Sequence, residues 1–248
     1  ISLGHAAQSD IQSAIDGGVK FSDIFETADA SKPLPEGFTS INAYDGDGAA
    51  NEYLKLKPGM EKVASRLETR RYAALLGATT ELRKEEGITY DPDGKVLYVA
   101  MSEVTRGMED HKKNGKDSEK YDKGGPNHVK LPFNKMGCVY GLDVGPDSKI
   151  GSDYVAKNMY AVVCGETKKY PADSPYANNK GDIDKIANPD NIAYVVGYKT
   201  MIIGEDTGSG HQNDAIWAYN TETKTLTRIQ TTPYGSETTS PYVYPNIN

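Results

Sequence analysis

The chain writes one phrase twice, and that repetition limits its possible folds more than any other feature. Glu86-Gly87-Ile88-Thr89-Tyr90 leads into the turn Asp91-Pro92-Asp93-Gly94, then into an apolar run from Val96 to Met101 that ends at Ser102-Glu103. Roughly a hundred residues later, beyond the period of compact repeats, the phrase returns. Asp190-Asn191-Ile192-Ala193-Tyr194 leads through a turn containing Gly197 into Met201-Ile202-Ile203 and ends at Gly204-Glu205-Asp206. Short apolar runs joined by tight turns read as antiparallel hairpins, and a hairpin brings its first and last residues together. Each copy begins and ends with a carboxylate, which predicts a repeated β-fold that holds cations.

Two more strand-like runs follow each phrase: Cys138 to Val144 and Met159 to Val163 after the first, Ile216 to Tyr219 and Thr225 to Gln230 after the second. Two sets of four short antiparallel runs in the same order have the pattern of β-propeller blades. The expected fold is therefore mainly β, with four-stranded blades at residues 86–165 and 190–230 of an incomplete propeller that occupies residues 57–248. The excess length falls in two insertions, a charged one from Val104 to Lys135, expected to be mobile over Lys112 to Lys123, and another from Glu166 to Ala187. Residues 1–56 read as an irregular, short-helical segment with no core of its own, helical at Asp10 to Asp16 and Phe21 to Ala28. Met60, Val63, Leu67 and Ala74 then predict one helix from about Pro58 to Leu76, stopped by Gly77. Two blades do not close a ring, so the remaining blades are expected from missing chain or from another polypeptide. The start at Ile1 reads as a processed or truncated end, and Pro245-Asn246-Ile247-Asn248 carries no capping segment.

With 37% hydrophobic residues, 25 Gly, 13 Pro and 17 Tyr, the composition suits a loop-rich β protein better than a helical bundle. The net charge of -7, with no segment that concentrates Lys and Arg free of acids, excludes the footprint of a nucleic-acid binder. A protein of this charge that handles phosphate needs local cations. No apolar stretch approaches the roughly 20 residues that span a bilayer, and no signal peptide is present. Cys138 and Cys164 fall at the start of one expected strand and the end of its antiparallel neighbour. They are either a disulfide or two buried thiols.

In a propeller the innermost strand of each blade lines the axial channel, which puts Glu86 and Asp190 at equivalent points of successive blades. Hard oxygen donors of this kind suit calcium or an oxygen-rich iron site; the alternative is that both acids cap turns. The segment Gly204 to Asp214 is the densest cluster of ligand-type side chains, with Glu205, Asp206 and His211, and reads otherwise as a solvated turn. Arg83-Lys84, directly before Glu85-Glu86, is placed to orient an anionic substrate beside a metal, or else forms ordinary charge pairs. Asp143 reads as a strand end. No nucleophile elbow, phosphate-binding loop or His-Glu-x-x-His motif occurs.

Thr69-Arg70-Arg71-Tyr72-Ala73-Ala74-Leu75-Leu76-Gly77-Ala78-Thr79-Thr80-Glu81, running into Glu85 to Pro92, resembles the PhoX-type alkaline phosphatases. So does Asn188 to Tyr194, continued by Ile203 to Asp206, and the resemblance extends from about Lys57 to the C-terminus. It implies a periplasmic or secreted β-propeller phosphomonoesterase with Ca2+ and Fe3+ held by carboxylates in the central channel. It makes Glu86 a metal ligand and Lys84 the contact to substrate phosphate, at a position where the family commonly has Arg. Lys lacks the bidentate fork of Arg. The family's cysteine ligand to iron falls on neither Cys138 nor Cys164. The expected site thus has Glu86, Asp190, Glu205 and Asp206 around metal, with Lys84 and Arg83 gripping a phosphate ester. The competing expectation is a non-catalytic, calcium-stabilised propeller that serves as a binding scaffold.

Overall fold

Backbone pairing turns the two sets of apolar runs into two antiparallel meanders, and the fold is mainly β. The computed structural model describes residues 1–43 and 51–244; the terminal Pro245-Asn246-Ile247-Asn248 lies outside the described residues. The chain divides into two compact units, one of residues 1–82 and 106–131, the other of residues 83–105 and 132–248.

In the first unit, helices α1 (Gln8–Asp16) and α2 (Phe21–Ile24) precede strands β1 (Phe25–Ala28), β2 (Thr39–Asn42) and β3 (Asn51–Leu56), which pair antiparallel in the order β1-β3-β2. The helix expected over Phe21 to Ala28 lasts one turn. From Phe25 the chain is extended and pairs with Leu56. Ile24, Phe25, Ile41 and Leu54 of the N-terminal segment bury together with Ala64 and Tyr72 of the helices that follow. Each strand is so short that one or two apolar anchors, such as Ile41 in β2 or Leu54 and Leu56 in β3, carry it, and no alternation is visible in the sequence.

The single helix expected over 58–76 is two, α3 (Glu61–Leu67) and α4 (Thr69–Leu75). The break falls at Glu68, with φ -131 and ψ 43. The Thr69 hydroxyl donates to the Ser65 carbonyl at 3.0 Å, the group that the Thr69 amide would take in a continuous helix. Pro58-Gly59 forms a turn ahead of α3, closed by the Met60 amide on the Lys57 carbonyl.

The second unit opens with β4 (Glu85–Asp91) and β5 (Val96–Met101). After residues 106–131, where β6 (Lys112–Lys113) and β7 (Lys116–Asp117) make a small hairpin, it continues as β8 (Cys138–Asp147), β9 (Ser152–Ala156) and β10 (Tyr160–Cys164). The order β4-β5-β8-β10 is the expected meander. β9, which the sequence did not show, pairs with the far end of β8 across a turn in which Asp147 accepts the Lys149 and Ile150 amides. The second meander, β11 (Pro189–Val195), β12 (Thr200–Glu205), β13 (Ala215–Asn220) and β14 (Leu226–Thr231), pairs in chain order. Cys138 and Cys164 face each other across β8 and β10 and are joined as a disulfide. Among the described residues, no helix is long and apolar enough to cross a membrane.

The repeat extends to single backbone groups. Lys84 and Asn188 precede the first strands with φ 54 and 45, and Lys95 and Lys199 precede the second strands with φ 53 and 51. The Lys84 carbonyl accepts the Ser102 amide at 3.0 Å, as the Asn188 carbonyl accepts that of Asp206 at 3.1 Å. The first strands of the two meanders meet directly: the Tyr194 amide donates to the Thr89 hydroxyl at 2.9 Å. A Cβ on Gly87 would lie 2.4 Å from the Asp190 carbonyl oxygen and 2.8 Å from the Ile192 amide. Glycine is required there by backbone proximity. Tyr98, Val139, Ile192, Met201, Ile203 and Trp217 form the core of this unit.

Gly87→Ala is expected to lower stability by about 3 kcal/mol, the cost of overpacking against rigid backbone, in urea unfolding. Replacing Cys138 and Cys164 together by Ala should lower it by about 2–4 kcal/mol, since the bond closes a loop whose freedom raises the entropy of the unfolded chain.

Candidate metal centre

Pairing of β11 with β12 sets Pro189 opposite Glu205, so Asp190 and Asp206 flank one hairpin mouth. A third acid comes from the tail after β14. The Thr238 amide and hydroxyl both donate to the Glu205 carbonyl, at 3.1 and 2.7 Å, and pin the tail beside that mouth. Asn191 donates to Asp190 Oδ1 at 2.7 Å and to the Thr238 carbonyl at 3.4 Å, tying strand to tail. Oxygens of Asp190, Asp206 and Glu237 consequently lie within 4.8 Å of one another.

Glu86 stands beside this triad and shares Lys84: the ammonium lies 2.8 Å from Glu86 Oε1. That hydrogen bond, opposed by partial burial, and the charges of Glu86, Asp206 and Asp190 hold Lys84 above the usual lysine range. Asp190 is pushed above the usual carboxylate range by burial first, then by the charges of Glu86, Asp206 and Glu237, with Lys84 opposing. The Lys84 ammonium thus faces three carboxylates, Glu86, Asp206 and Asp190. Mutual repulsion of this kind is what a bound cation relieves. Next to Asp206 an open cleft is lined by Lys84, Ser102, Lys135, Asn188 and Ser209.

Four of the six expected site residues, Lys84, Glu86, Asp190 and Asp206, come together here; Glu205 and Arg83 do not join them. Glu205 is fully buried and takes the place that Met101 holds in the first meander, on the core side of the pleat. Its carboxylate accepts the Ala187 and Ala215 amides, the Trp217 indole N–H at 2.7 Å, and His211 Nδ1 at 2.8 Å. His211 Nε2 donates to the Asp182 carbonyl. Burial disfavours the imidazolium, but the Glu205 hydrogen bond and charge outweigh it and raise the His211 pKa. Within the Gly204 to Asp214 loop Thr207 Oγ1 accepts the Gly210 amide, and Asp214, pushed up to about 6 by burial, accepts the Thr207 amide, while the Gly210 carbonyl accepts the Lys180 and Gly181 amides from outside the loop. Only Asp206 of that loop enters the triad. Arg83 pairs with Glu103 at 2.8 Å, and Glu103 also takes Lys135 at 2.7 Å.

Glu237 escaped sequence reasoning because it lies in a tail with no periodic signal. The one cue was Thr238 beside it, whose role exists only once Glu205 is in place. No protein-family model, curated protein or solved structure matches this chain.

Glu205→Ala should cost about 3–5 kcal/mol, because four buried donors lose their acceptor. Glu237→Gln, on the exposed triad, should stay within about 0.5 kcal/mol of the parent in the same denaturation measurement.

Proposed function

We propose that the protein is a metal-dependent phosphomonoesterase whose two meanders are successive blades of a β-propeller. The observation that carries this reading is the convergence of Asp190, Asp206 and Glu237 beside the Lys84–Glu86 pair, at the mouths of two repeated hairpins. It agrees with the resemblance to PhoX-type alkaline phosphatases.

The donor set fits a hard cation. It offers carboxylate oxygen alone, its acids repel one another, and a single ammonium leaves them undercompensated, which suits Ca2+. Asp190, Asp206 and Glu237 would hold it, with Glu86 adjacent. Fe3+, also a hard cation, enters this reading through the resemblance alone. A bound cation supplies Lewis acidity toward a phosphoryl oxygen. Lys84 then attracts and orients the phosphate ester, with its charge held on by Glu86. Lys135 lines the same cleft and pairs with Glu103 as Arg83 does, but its side chain is half-exposed where that of Arg83 is largely buried, so Lys135 takes the second cationic role expected of Arg83. Periplasmic or secreted location accords with the disulfide, which persists in oxidising compartments. Closure of a propeller requires further blades, from more of the chain or from another polypeptide.

The full-length protein should hydrolyse an aryl phosphate in the presence of Ca2+ and lose that activity on exhaustive chelation. Lys84→Ala should lower kcat/KM about 100-fold, and Asp190→Asn or Glu86→Gln should lower metal content measured by elemental analysis. Full activity after chelation would overturn the reading. Bound calcium with no hydrolysis would instead favour the scaffold.

A further inference from the structure

Asp206, Gly208 and Ser209 line two openings of the second unit at once. One is the Lys84 cleft, of about 220 Å³; the other, of about 670 Å³, also has Glu237 of the triad in its wall. The larger opening therefore adjoins both the phosphate cleft and the acids proposed to hold the cation. The segments around it are tied down. The Lys180 and Gly181 amides donate to the Gly210 carbonyl at 2.9 and 2.7 Å, and the Gln212 amide donates to Asn179 Oδ1 at 2.7 Å. Thr207, His211 and Asp214, which also line this opening, are buried and hydrogen-bonded within the protein.

The remaining side chains of that wall are available to a ligand. Tyr234 lies on a turn closed by the Ser236 amide on the Pro233 carbonyl at 3.1 Å, with Gly235 at φ 75. Thr238 anchors the same tail on the Glu205 carbonyl, so the Tyr234 ring, 77% exposed, belongs to a fixed segment of the cleft. Asn178 Nδ2 donates to Gln212 Oε1 at 3.2 Å, a bond that leaves Asn178 Oδ1 to accept and Gln212 Nε2 to donate. Lys180 adds an ammonium, and Ser209 and Ser236 add hydroxyls. One aromatic face among amides, hydroxyls and an ammonium matches a sugar ring. The C–H face of such a ring is apolar and rests on a π face, while the hydroxyls at its edge both donate and accept. A nucleobase is gripped between aromatic or apolar side chains, and this cleft offers a single exposed ring.

We propose that the larger cleft binds the alcohol half of the substrate and that this half is a sugar, its ring on Tyr234 and its hydroxyls on Asn178, Lys180 and Gln212. The proposal rests on the phosphatase reading, which puts the phosphoryl group in the Lys84 cleft. Size agrees with that division: the smaller opening takes a phosphoryl group, and the larger one takes what the ester carries. Hydrolysis then joins the oxygen of water to phosphorus, breaks the P–O bond to the sugar and returns a proton to the sugar oxygen. The products are free sugar and inorganic phosphate. Contacts to a part of the substrate that does not react contribute to kcat/KM without touching the phosphoryl group.

The test compares glucose 6-phosphate with ethyl phosphate, a primary ester that has neither ring nor hydroxyl, on the full-length protein with Ca2+. The sugar ester should have the higher kcat/KM by about tenfold or more, as hydrogen-bonded hydroxyls allow. Tyr234→Ala should reduce that advantage about tenfold, and Gln212→Ala about threefold, both chiefly through KM. Equal kcat/KM for the two esters, or an advantage that Tyr234→Ala leaves intact, overturns the proposal while the phosphatase reading stands. A preference for adenosine 5′-phosphate over glucose 6-phosphate overturns it in favour of a nucleotide site. If neither ester is hydrolysed, the phosphatase reading fails and titration calorimetry with glucose 6-phosphate decides the sugar site by itself. Binding that Tyr234→Ala weakens supports that site; no binding, or binding indifferent to Tyr234→Ala, overturns it.

Discussion

The backbone of β4 passes so close to that of β11 that no side-chain carbon fits between them at Gly87, and the arrangement of the second unit follows from that approach. With the Thr89 hydroxyl accepting the Tyr194 amide, the first strands of the two meanders are fixed side by side. Their opening residues are then neighbours, which is how Glu86 comes to share Lys84 with acids that belong to the other hairpin. Tyr98 and Tyr194 stack at the far end of the same seam, with ring centroids 6.0 Å apart. A side chain at position 87 would push on main-chain atoms, which have no rotamer to yield.

The acids of this unit separate into two electrostatic classes. Glu205 is enclosed by two amides, an indole N–H and an imidazole, so its charge is satisfied by fixed donors and it acts as a hub of the core. Asp190, Asp206 and Glu237 face outward with few donors and one another for neighbours. Burying a carboxylate with four donors rigidifies a core, whereas gathering half-buried and exposed carboxylates beside the Lys84 ammonium stores repulsion that a cation releases. Adjacent residues at the end of β12, Glu205 and Asp206, thus serve opposite ends.

Much of this was legible in the sequence. Apolar runs bounded by Gly, Pro and Asp turns located all eight strands of the meanders, because each run is long enough to show its pattern and its turn chemistry. The carboxylates at hairpin ends were legible for the same reason, since antiparallel pairing returns the chain to its starting point. What escaped were features that depend on partners distant in the chain. β1 to β3 carry one or two apolar anchors each, β9 exists because β8 extends past its first meander partners, and the break at Glu68 turns on one threonine hydroxyl. Glu237 was invisible because its neighbour Thr238 is positioned by the Glu205 carbonyl, 33 residues earlier.

By itself the sequence determined the doubled hairpin, its turns and the presence of acids at both mouths, since these follow from local alternation and tight-turn geometry. Tertiary structure decided which acids meet. The pleat sends consecutive side chains to opposite faces, so Asp206 reached the cluster while Glu205 went to the core. The tail brought in Glu237 and the Glu103 pair drew Arg83 away, because hydrogen bonds and ion pairs between distant segments form only after the strands are placed.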